Sequence, residues 1–213
     1  MSELRYRHVD LPNLGYMLCE FPEEALAPIK KEIAEIQGNF DAATPHNYEL
    51  AGNIRREYKL LKSMAYANEL IKPVAQDFLN NYDPYSWFLA NEIQGRSELE
   101  LTSFWVNYQQ KNEFNPPHTH MGVISFALWI QIPFTHDQEL KATPEIPEQT
   151  NAVGAFNFQY TNSLGNIKNY TIKADKSYEN KMVLFPAKMT HSVSPFYSSD
   201  DYRISVSGNF HLK

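Results

Sequence analysis

The chain has very little cysteine and no long apolar run. Cys19 is its only cysteine, which excludes an internal disulfide and a zinc site built from several cysteines. No stretch approaches the roughly 20 consecutive apolar residues that a membrane-spanning helix needs. Residues 1–18 mix charged and apolar side chains and do not resemble a signal peptide. We therefore expect a soluble, cytoplasmic protein with no membrane partner.

Positive charge is also scarce. The 19 Lys and Arg residues are outnumbered by 25 Asp and Glu residues, which gives a formal net charge of −6 without a strongly basic segment. Attraction to phosphates supplies most non-specific affinity for nucleic acid, so we do not expect a nucleic-acid partner. Hydrophobic residues make up 43% of the 213 residues, enough for one substantial core and hence a single domain. A homodimer is compatible with this composition.

The first part of the chain, up to about residue 82, has helical periodicity. Apolar residues recur at three- and four-residue spacing in a run that ends at Gly38, which predicts one amphipathic helix. A second such run extends over residues 54–78 and predicts a second helix. Pro73 lies within this run, where it predicts a kink or a break.

The rest of the chain has the character of β-structure, because short β-branched and aromatic runs alternate with turn-forming residues. We predict strands near Leu99–Gln109, Val123–Ile132, Val153–Tyr160, Asn169–Ala174, Met182–Phe185 and Arg203–Leu212. The stretch Lys141–Gln149, with two prolines, predicts a loop. A mostly β fold with N-terminal helices satisfies both parts: an antiparallel barrel or jelly roll, packed on one outer face by the helices.

Three histidines are candidates for a metal site. His118 and His120 stand just before a predicted strand, and residues two apart in an extended chain point to the same side. His191 follows a predicted strand and Pro186, so it is the best candidate for a third ligand. Imidazole suits iron, zinc, copper and nickel, so the ligand type does not select the metal. An isolated His-x-His pair is more often an ordinary surface feature.

The last predicted strand offers a possible carboxylate receptor. Alternation places Arg203, Ser205, Ser207 and Asn209 on one face of it and apolar residues on the other. The planar fork of Arg203 can bind a carboxylate through two hydrogen bonds, and Ser205 can add a third. A solvent-facing polar side of an edge strand would give the same pattern.

Two other predicted strands also carry polar residues on one face. Ser125, Trp129 and Gln131 share a face of the strand Val123–Ile132, and Asn157 alternates with aromatic residues on the following strand. If these faces line the interior of the barrel, the four side chains lie in a substrate pocket. If they simply meet water, the pattern has no functional meaning. Four other histidines are interpreted as surface or strand-end residues: His8, His46, His136 and His211.

Taken together, these residues resemble the signature of 2-oxoglutarate and iron(II)-dependent oxygenases. That signature is a histidine, one residue and an acid or histidine, then far downstream a second histidine and, about ten residues later, Arg-x-Ser. Here it reads His118-Thr119-His120, His191 and Arg203-Ile204-Ser205. Residues 104–108, 117–120, 130–133, 184–193 and 203–209 are similar to oxygenases of the kind encoded by tailed bacteriophages, which would place the chain in a host cytoplasm.

This resemblance implies a fold, a reaction and roles for individual residues. It implies a double-stranded β-helix in residues 86–213, supported by helices in residues 1–85 as one domain. The iron ligands would be the three histidines of the signature, with no further catalytic residue, and Arg203, Ser205 and Tyr108 would contact 2-oxoglutarate. Dioxygen and 2-oxoglutarate would serve as cosubstrates for the hydroxylation of a small molecule or a protein side chain.

His120 departs from the usual pattern, because most members of this family have an acid at that position. A third neutral imidazole raises the net charge of the site and should alter metal affinity. Two alternatives therefore stay open: a cupin-like protein with a three-histidine metal site that does not use 2-oxoglutarate, and a non-catalytic structural descendant. Arg203 and Ser205 have no role in the first alternative. Residues 39–53 and 135–150 could cover the pocket, but they do not identify a substrate.

Overall fold

The computed structural model describes residues 15–81, 98–148 and 152–213. Within these ranges, three α-helices and ten β-strands follow one another along the chain. The helices are α1 (Ala27–Gly38), α2 (Met64–Asn81) and α3 (His136–Ala142). The strands are β1 (Met17–Glu20), β2 (Glu57–Lys59), β3 (Leu99–Gln109), β4 (Asn115–His118), β5 (Ile124–Gln131), β6 (Phe156–Thr161), β7 (Ile167–Ile172), β8 (Lys181–Pro186), β9 (Thr190–Val193) and β10 (Arg203–Leu212).

The strands form two antiparallel sheets. A large sheet of six strands has the order β1-β8-β5-β10-β3-β2, and a small sheet of four strands has the order β4-β9-β6-β7. The two sheets face each other across a shared interior, which is the double-stranded β-helix fold. The chain is thus mostly β with a few helices, as the sequence predicts.

The outer face of the large sheet is buried against α1 and α2. Its core is built from hydrophobic residues and includes Ile33 and Ile71 from the helices and Val106, Leu128 and Val206 from the sheet. Removing this surface from water supplies the main driving force for docking the helices.

A buried carboxylate fixes the start of α2 against α1. Both oxygens of Glu32 on α1 accept hydrogen bonds from backbone N–H groups of residues 61–63, and Oε2 also accepts one from the hydroxyl of Ser63. A negative charge at a helix N-terminus satisfies unpaired N–H groups and interacts favourably with the helix dipole. This contact fixes α1 and the start of α2 relative to each other, in addition to their common packing on the sheet.

A second apolar core fills the space between the sheets. It brings together Trp129 and Phe185 of the large sheet with Phe156 and Phe158 of the small sheet. The outer face of the small sheet carries polar residues such as the exposed Gln159, which donates to Asn169. The small sheet is therefore apolar towards the interior and polar towards water.

The strand predictions are confirmed, and β3 and β10 have the predicted bounds. The division into a helical part up to residue 85 and a β part after it is wrong, because β1 and β2 join the large sheet. β2 also interrupts the second predicted helical run, so α2 begins at Met64 and continues through Pro73 without a break.

α3 is a further correction, because its last residues, Lys141 and Ala142, fall in the stretch that was predicted as a loop. The side chain of Thr135 accepts the N–H of Gln138, and that of Gln138 accepts the N–H of Thr135, so the helix begins with a capping box. In the described part of the chain, no helix is both long and apolar enough to cross a membrane.

Candidate metal centre

Three histidines from different parts of the chain meet at one end of the space between the sheets. His118 is the last residue of β4, His120 follows it, and His191 lies opposite His118 on the neighbouring strand β9. One ring nitrogen of each lies within 4.8 Å of the corresponding atoms of the other two. The Nε2 atoms of His120 and His191 are 3.1 Å apart. The structure therefore brings together the three predicted ligands.

Backbone carbonyls hold two of these rings in a defined orientation. His118 Nδ1 lies 2.7 Å from the carbonyl oxygen of Pro116, and His191 Nδ1 lies 3.0 Å from that of Met189. An Nδ1–H that donates to a carbonyl leaves the Nε2 lone pair free to bind a metal.

Burial keeps the three imidazoles neutral. It lowers the pKa of His118, lowers that of His120 to about 4, and lowers that of His191 to about 3. For His120 and His191, the neighbouring histidines lower the pKa further. Metal binding needs deprotonated ligands, so the cluster is already in the required form at neutral pH. Aromatic rings shield it: Phe156 stacks on His191 at 5.5 Å and Phe185 lies 4.7 Å from the same ring.

Arg203 lines the same cavity from the large sheet and is almost fully buried, with 2% of its surface exposed. Its Nε and Nη2 both donate to Oε1 of Gln109, at 3.0 and 2.5 Å. Nη1 donates to the carbonyl oxygen of Gly154, and Nη2 also reaches that of Ser194. Gly154 adopts a φ of +69°, and a Cβ there would press on the ring of Phe134. A residue with a side chain would therefore not fit at this position.

The hydrogen-bond acceptors of the Arg203 guanidinium are all neutral oxygens. In the parts of the chain that the structure describes, no carboxylate forms an ion pair with it. Burial lowers its pKa to about 9, and the carboxylate of the nearby buried Glu139 partly opposes that shift. At neutral pH the guanidinium is still protonated. A buried positive charge without a direct anionic partner favours an anion in the cavity.

Polar side chains form a row across the large sheet on its cavity side. Glu57 on β2 pairs with Asn107 on β3, Asn107 pairs with Ser205 on β10, and Ser205 pairs with Trp129 on β5. All four line the cavity that contains the three histidines and Arg203. Directly opposed residues of neighbouring strands share a face, which explains why the row points to one side.

Of the four predicted substrate-pocket residues, Trp129 lines this cavity, as does Ser205, which was predicted to contact 2-oxoglutarate. Ser125, Gln131 and Asn157 do not. Ser125 is buried, and its hydroxyl donates to Oδ1 of Asn209 at 2.6 Å. Gln131 is exposed and donates to the carbonyl oxygen of Tyr202.

The prediction for Asn157 is wrong because the small sheet turns its apolar face, not its polar face, towards the interior. Its amide donates to Ser194 Oγ and accepts from Thr171 Oγ1, while its neighbours Phe156 and Phe158 are buried between the sheets.

The structure also contradicts the predicted role of Tyr108. This side chain is fully buried in the outer core, and its hydroxyl donates to the carbonyl oxygen of Ile33 on α1 at 2.6 Å. Burial raises its pKa. Asn107 and Gln109 point into the interior, so the residue between them must point to the helices. Tyr108 therefore supports the packing of α1 and does not contact the cavity.

Several residues that line the cavity were not predicted, among them Glu57, Trp105, Asn107 and Asn115. Gln109, which holds Arg203, was not predicted either. Trp105, Asn107 and Gln109 alternate along β3, so the period of that strand could have identified them. Glu57 gave no such signal, because its segment was assigned to a helix. From residues 39–53, predicted as a cover, Leu50, Ala51 and Gly52 line the cavity.

The remaining histidines do not all lie on the surface. His46 is buried with its ring 5.2 Å from Trp105, so the surface interpretation is wrong for this residue. His136 is half-buried at the start of α3. His211 lies near the end of β10, with Nδ1 2.6 Å from Thr102 Oγ1, and His8 lies outside the described residues.

Comparison with known proteins identifies related sequences and folds. Residues 103–209, which are 107 of the 213 residues, match a family model described as "Putative 2OG-Fe(II) oxygenase". This range contains the three histidines and Arg203. No curated protein gives a significant sequence match.

Solved structures with similar folds include two prolyl hydroxylases. A prolyl-4-hydroxylase from Pseudomonas putida has a TM-score of 0.55 at 12% identity, over 94% of each chain. A prolyl hydroxylase from Trichoplax adhaerens, in complex with a peptide fragment of hypoxia inducible factor, has a TM-score of 0.55 at 8% identity, over 93% of this chain and 83% of the other. An oxidoreductase of the 2OG-Fe(II) oxygenase family from Burkholderia pseudomallei has a TM-score of 0.51 at 12% identity, over 92% and 85%. At these identities the likeness establishes the fold alone.

Proposed function

This chain belongs to the 2OG-Fe(II) oxygenase family, and from that premise we propose that it binds iron(II) and 2-oxoglutarate and hydroxylates a substrate. The substrate would be a small molecule or a protein side chain. The family implies an oxidoreductase that uses iron(II) as its metal and 2-oxoglutarate and dioxygen as cosubstrates. Hydroxylation, and the substrate class named above, are what we propose for this chain.

The three histidines fit an iron ion. Their imidazoles are neutral, their ring nitrogens converge, and the hydrogen bonds of His118 and His191 to backbone carbonyls leave Nε2 free. Imidazole is a suitable ligand for iron(II). When bound, iron would couple the oxidative decarboxylation of 2-oxoglutarate to the oxidation of a C–H bond.

The observation that carries the proposal is the position of Arg203. A protonated guanidinium with no carboxylate partner among the described residues lines the cavity that also contains the histidine cluster. A dicarboxylic acid placed between them would put one carboxylate at Arg203 and leave its other end towards the metal site. Ser205, two residues along β10, would add a hydroxyl donor.

The remaining cavity residues would bind, orient and exclude water. Gln109 holds the Arg203 fork in place before any ligand arrives, because its Oε1 accepts from both Nε and Nη2. Its own amide is held in turn by the carbonyl oxygen of Glu113 at 2.5 Å. Phe156, Phe185 and Trp129 form apolar walls. Such walls would exclude water and so strengthen electrostatic contacts within the cavity.

Anaerobic titration tests this proposal. Iron(II) followed by 2-oxoglutarate should give the weak visible charge-transfer band of the metal chelate. Arg203→Ala should weaken 2-oxoglutarate binding by about 10- to 100-fold, the usual value of a charge-assisted pair, and leave iron affinity unchanged. Arg55→Ala, which removes an exposed guanidinium, is the matched control. Equal loss of both ligands in Arg203→Ala, or no band in folded, metal-loaded protein, would contradict the proposal.

A second candidate function follows from the composition of the ligand cluster, which consists of three histidines without a carboxylate in the described part of the chain. A cupin-like three-histidine metal protein that does not use 2-oxoglutarate would share the fold and the histidines and could bind zinc, nickel or manganese. It gives no role to Arg203, so the same variant separates the two candidates. A non-catalytic descendant would bind neither iron nor 2-oxoglutarate.

A further inference from the structure

We propose that Glu57, Asn107 and Asn115 form a subsite for a protonated amine of the substrate. The inference rests on the proposed function, because it names the group that the substrate would present in the same cavity. Glu57 lies on the edge strand β2, two strands away from the strand that carries Arg203. Asn107 lies between Glu57 and Ser205 in the row across the sheet, so the subsite adjoins the end of the cavity that would hold a dicarboxylic acid.

Three buried oxygen atoms in the cavity accept no hydrogen bond. Glu57 Oε1, Asn107 Oδ1 and Asn115 Oδ1 are buried and have no hydrogen-bond partner. All three residues line the cavity that contains the histidines. Glu57 is 1% exposed and Asn107 is 5% exposed, so neither residue is open to bulk water. Buried polar atoms are usually paired, and a set of unpaired acceptors facing one cavity indicates a ligand with several donors.

Two of these acceptors converge beside Gly52. A Cβ on Gly52 would overlap Oδ1 of Asn115 and would lie 3.4 Å from Oε1 of Glu57. Both oxygens are thus close to one point on the cavity wall, and a side chain at position 52 would displace the Asn115 oxygen. Asn107 faces the same side of the sheet, since it is paired directly with Glu57.

The charge balance selects an ammonium over a neutral donor. Among the described residues, no Lys, Arg or His forms an ion pair with Glu57. The nearby Glu113 accepts the N–H groups of Arg55 and Gln110, at 3.2 and 2.8 Å, and lies 3.9 Å from Nε of Arg55. Burial, and then the charge of Glu113, raises the pKa of Glu57 to about 8. A bound cation would favour the carboxylate form.

The number of N–H donors on a primary ammonium also matches the number of acceptors in the subsite. A primary ammonium carries three N–H donors, which matches three unpaired acceptors on three side chains. A hydroxyl group carries only one and would leave the others unpaired. A carboxylate or phosphate would offer no donor to these three oxygens and would be repelled by the Glu57 carboxylate.

Calorimetric binding of small probes tests the subsite. Wild-type protein is loaded with manganese(II), which does not support turnover, and with 2-oxoglutarate. It is titrated with n-propylammonium and with 1-propanol, and then with Nα-acetyl-L-lysine methylamide and Nα,Nε-diacetyl-L-lysine methylamide. We expect the ammonium member of each pair to bind at least about tenfold more tightly, as for a charge-assisted hydrogen bond. Glu57→Gln should abolish this preference and leave manganese and 2-oxoglutarate affinities unchanged.

Control variants separate the subsite from general effects of charge and folding. Glu35→Gln removes one carboxylate from the surface, where Glu35 pairs with Lys62, and should keep the full preference. Asn115→Ala should lower it severalfold and provides a second test if Glu57→Gln does not fold. The subsite is wrong if neither ammonium probe binds, if the neutral probes bind equally well, or if Glu57→Gln keeps the preference. Loss of manganese in Glu57→Gln would also overturn it, because Glu57 would then support the metal.

The outcomes are distinct from failure of the proposed function. If iron and 2-oxoglutarate do not bind but the preference for ammonium still depends on Glu57, the oxygenase proposal fails and the subsite stands. If both cosubstrates bind and no ammonium preference is found, only the subsite fails.

Discussion

The two sheets use the same alternation of polar and apolar residues in opposite senses. On β10 of the large sheet, Ile204 and Val206 face the helices, while Arg203 and Ser205 face the cavity. On β6 of the small sheet, Phe156 and Phe158 face the interior, and Asn157 does not line the cavity. The difference arises because α1 and α2 bury the back of the large sheet. A period of two therefore identifies two faces, and what covers the sheet decides which face holds the site.

The largest expected effect is on the metal-binding end of the small sheet. His191→Ala removes one of three ligands and should lower iron affinity by more than about 100-fold, beyond the usual cost of losing an outer-shell contact. Calorimetry or a competitive chelator measures this under anaerobic conditions. His211→Ala, which removes a histidine outside the cluster, should retain wild-type affinity. An unchanged affinity in His191→Ala would show that the cluster is not the metal site.

The outer face of the large sheet should affect stability without affecting binding. Leu128 is fully buried in the core beneath the helices, and Leu128→Ala should lower the free energy of unfolding by about 3 kcal/mol. Urea denaturation measures that loss, and the iron and 2-oxoglutarate affinities of the folded variant should equal those of wild type. A large loss of affinity without a loss of stability would mean that the two faces are not separate in function.

A substitution on the cavity face of the large sheet should change stability in a way that depends on pH. The pKa of Glu57 is raised from 4.5 to about 8 on folding, so folding takes up a proton between these values and wild-type stability falls as pH rises through that window. Glutamine carries no charge, so Glu57→Gln should gain about 3 kcal/mol over wild type by about pH 7, and the gain should rise further up to about pH 8.

At acidic pH, below 4.5, that gain should vanish, because Glu57 is then protonated in both the folded and the unfolded chain. Denaturation in the absence of amines, repeated over this pH range, measures the difference. A difference that does not vary with pH would indicate that the carboxyl group is not desolvated.

The smallest effect should come from a matched pair of asparagines, one on each sheet. Asn157→Ala, on the side of the small sheet that does not line the cavity, should cost no more than about 1 kcal/mol of stability and leave the preference for ammonium unchanged. Asn107→Ala, on the cavity face of the large sheet, should reduce that preference. Equal effects of the two variants on ammonium binding would remove the distinction between the sheets.

The sequence predicts the long strands and the residues that share a face on β10, because strongly periodic segments determine their own pattern. It also predicts that His118, His120 and His191 come together. It does not predict the short strand β2, since three residues carry too little periodicity to distinguish it from a helical run. Glu57 was missed for that reason.

The error at Tyr108 has a different cause. Its role came from resemblance, whereas the period of β3 places it opposite Asn107 and Gln109. Local alternation was the better guide at that position. For Asn157, neither source was sufficient, because its orientation depends on which sheet the helices cover.

The pairing of His118 with His191 also has a consequence for the durability of the molecule. β4 is the edge strand of the small sheet, and its pairing with β9 contains a register irregularity. A metal ion bound by both strands would cross-link β4 to β9 at this edge of the sheet. At a free metal concentration 100 times the dissociation constant, the bound ion adds about 2.7 kcal/mol to the free energy of unfolding. Removal of the metal should then let β4 detach before other strands and expose it first to proteases.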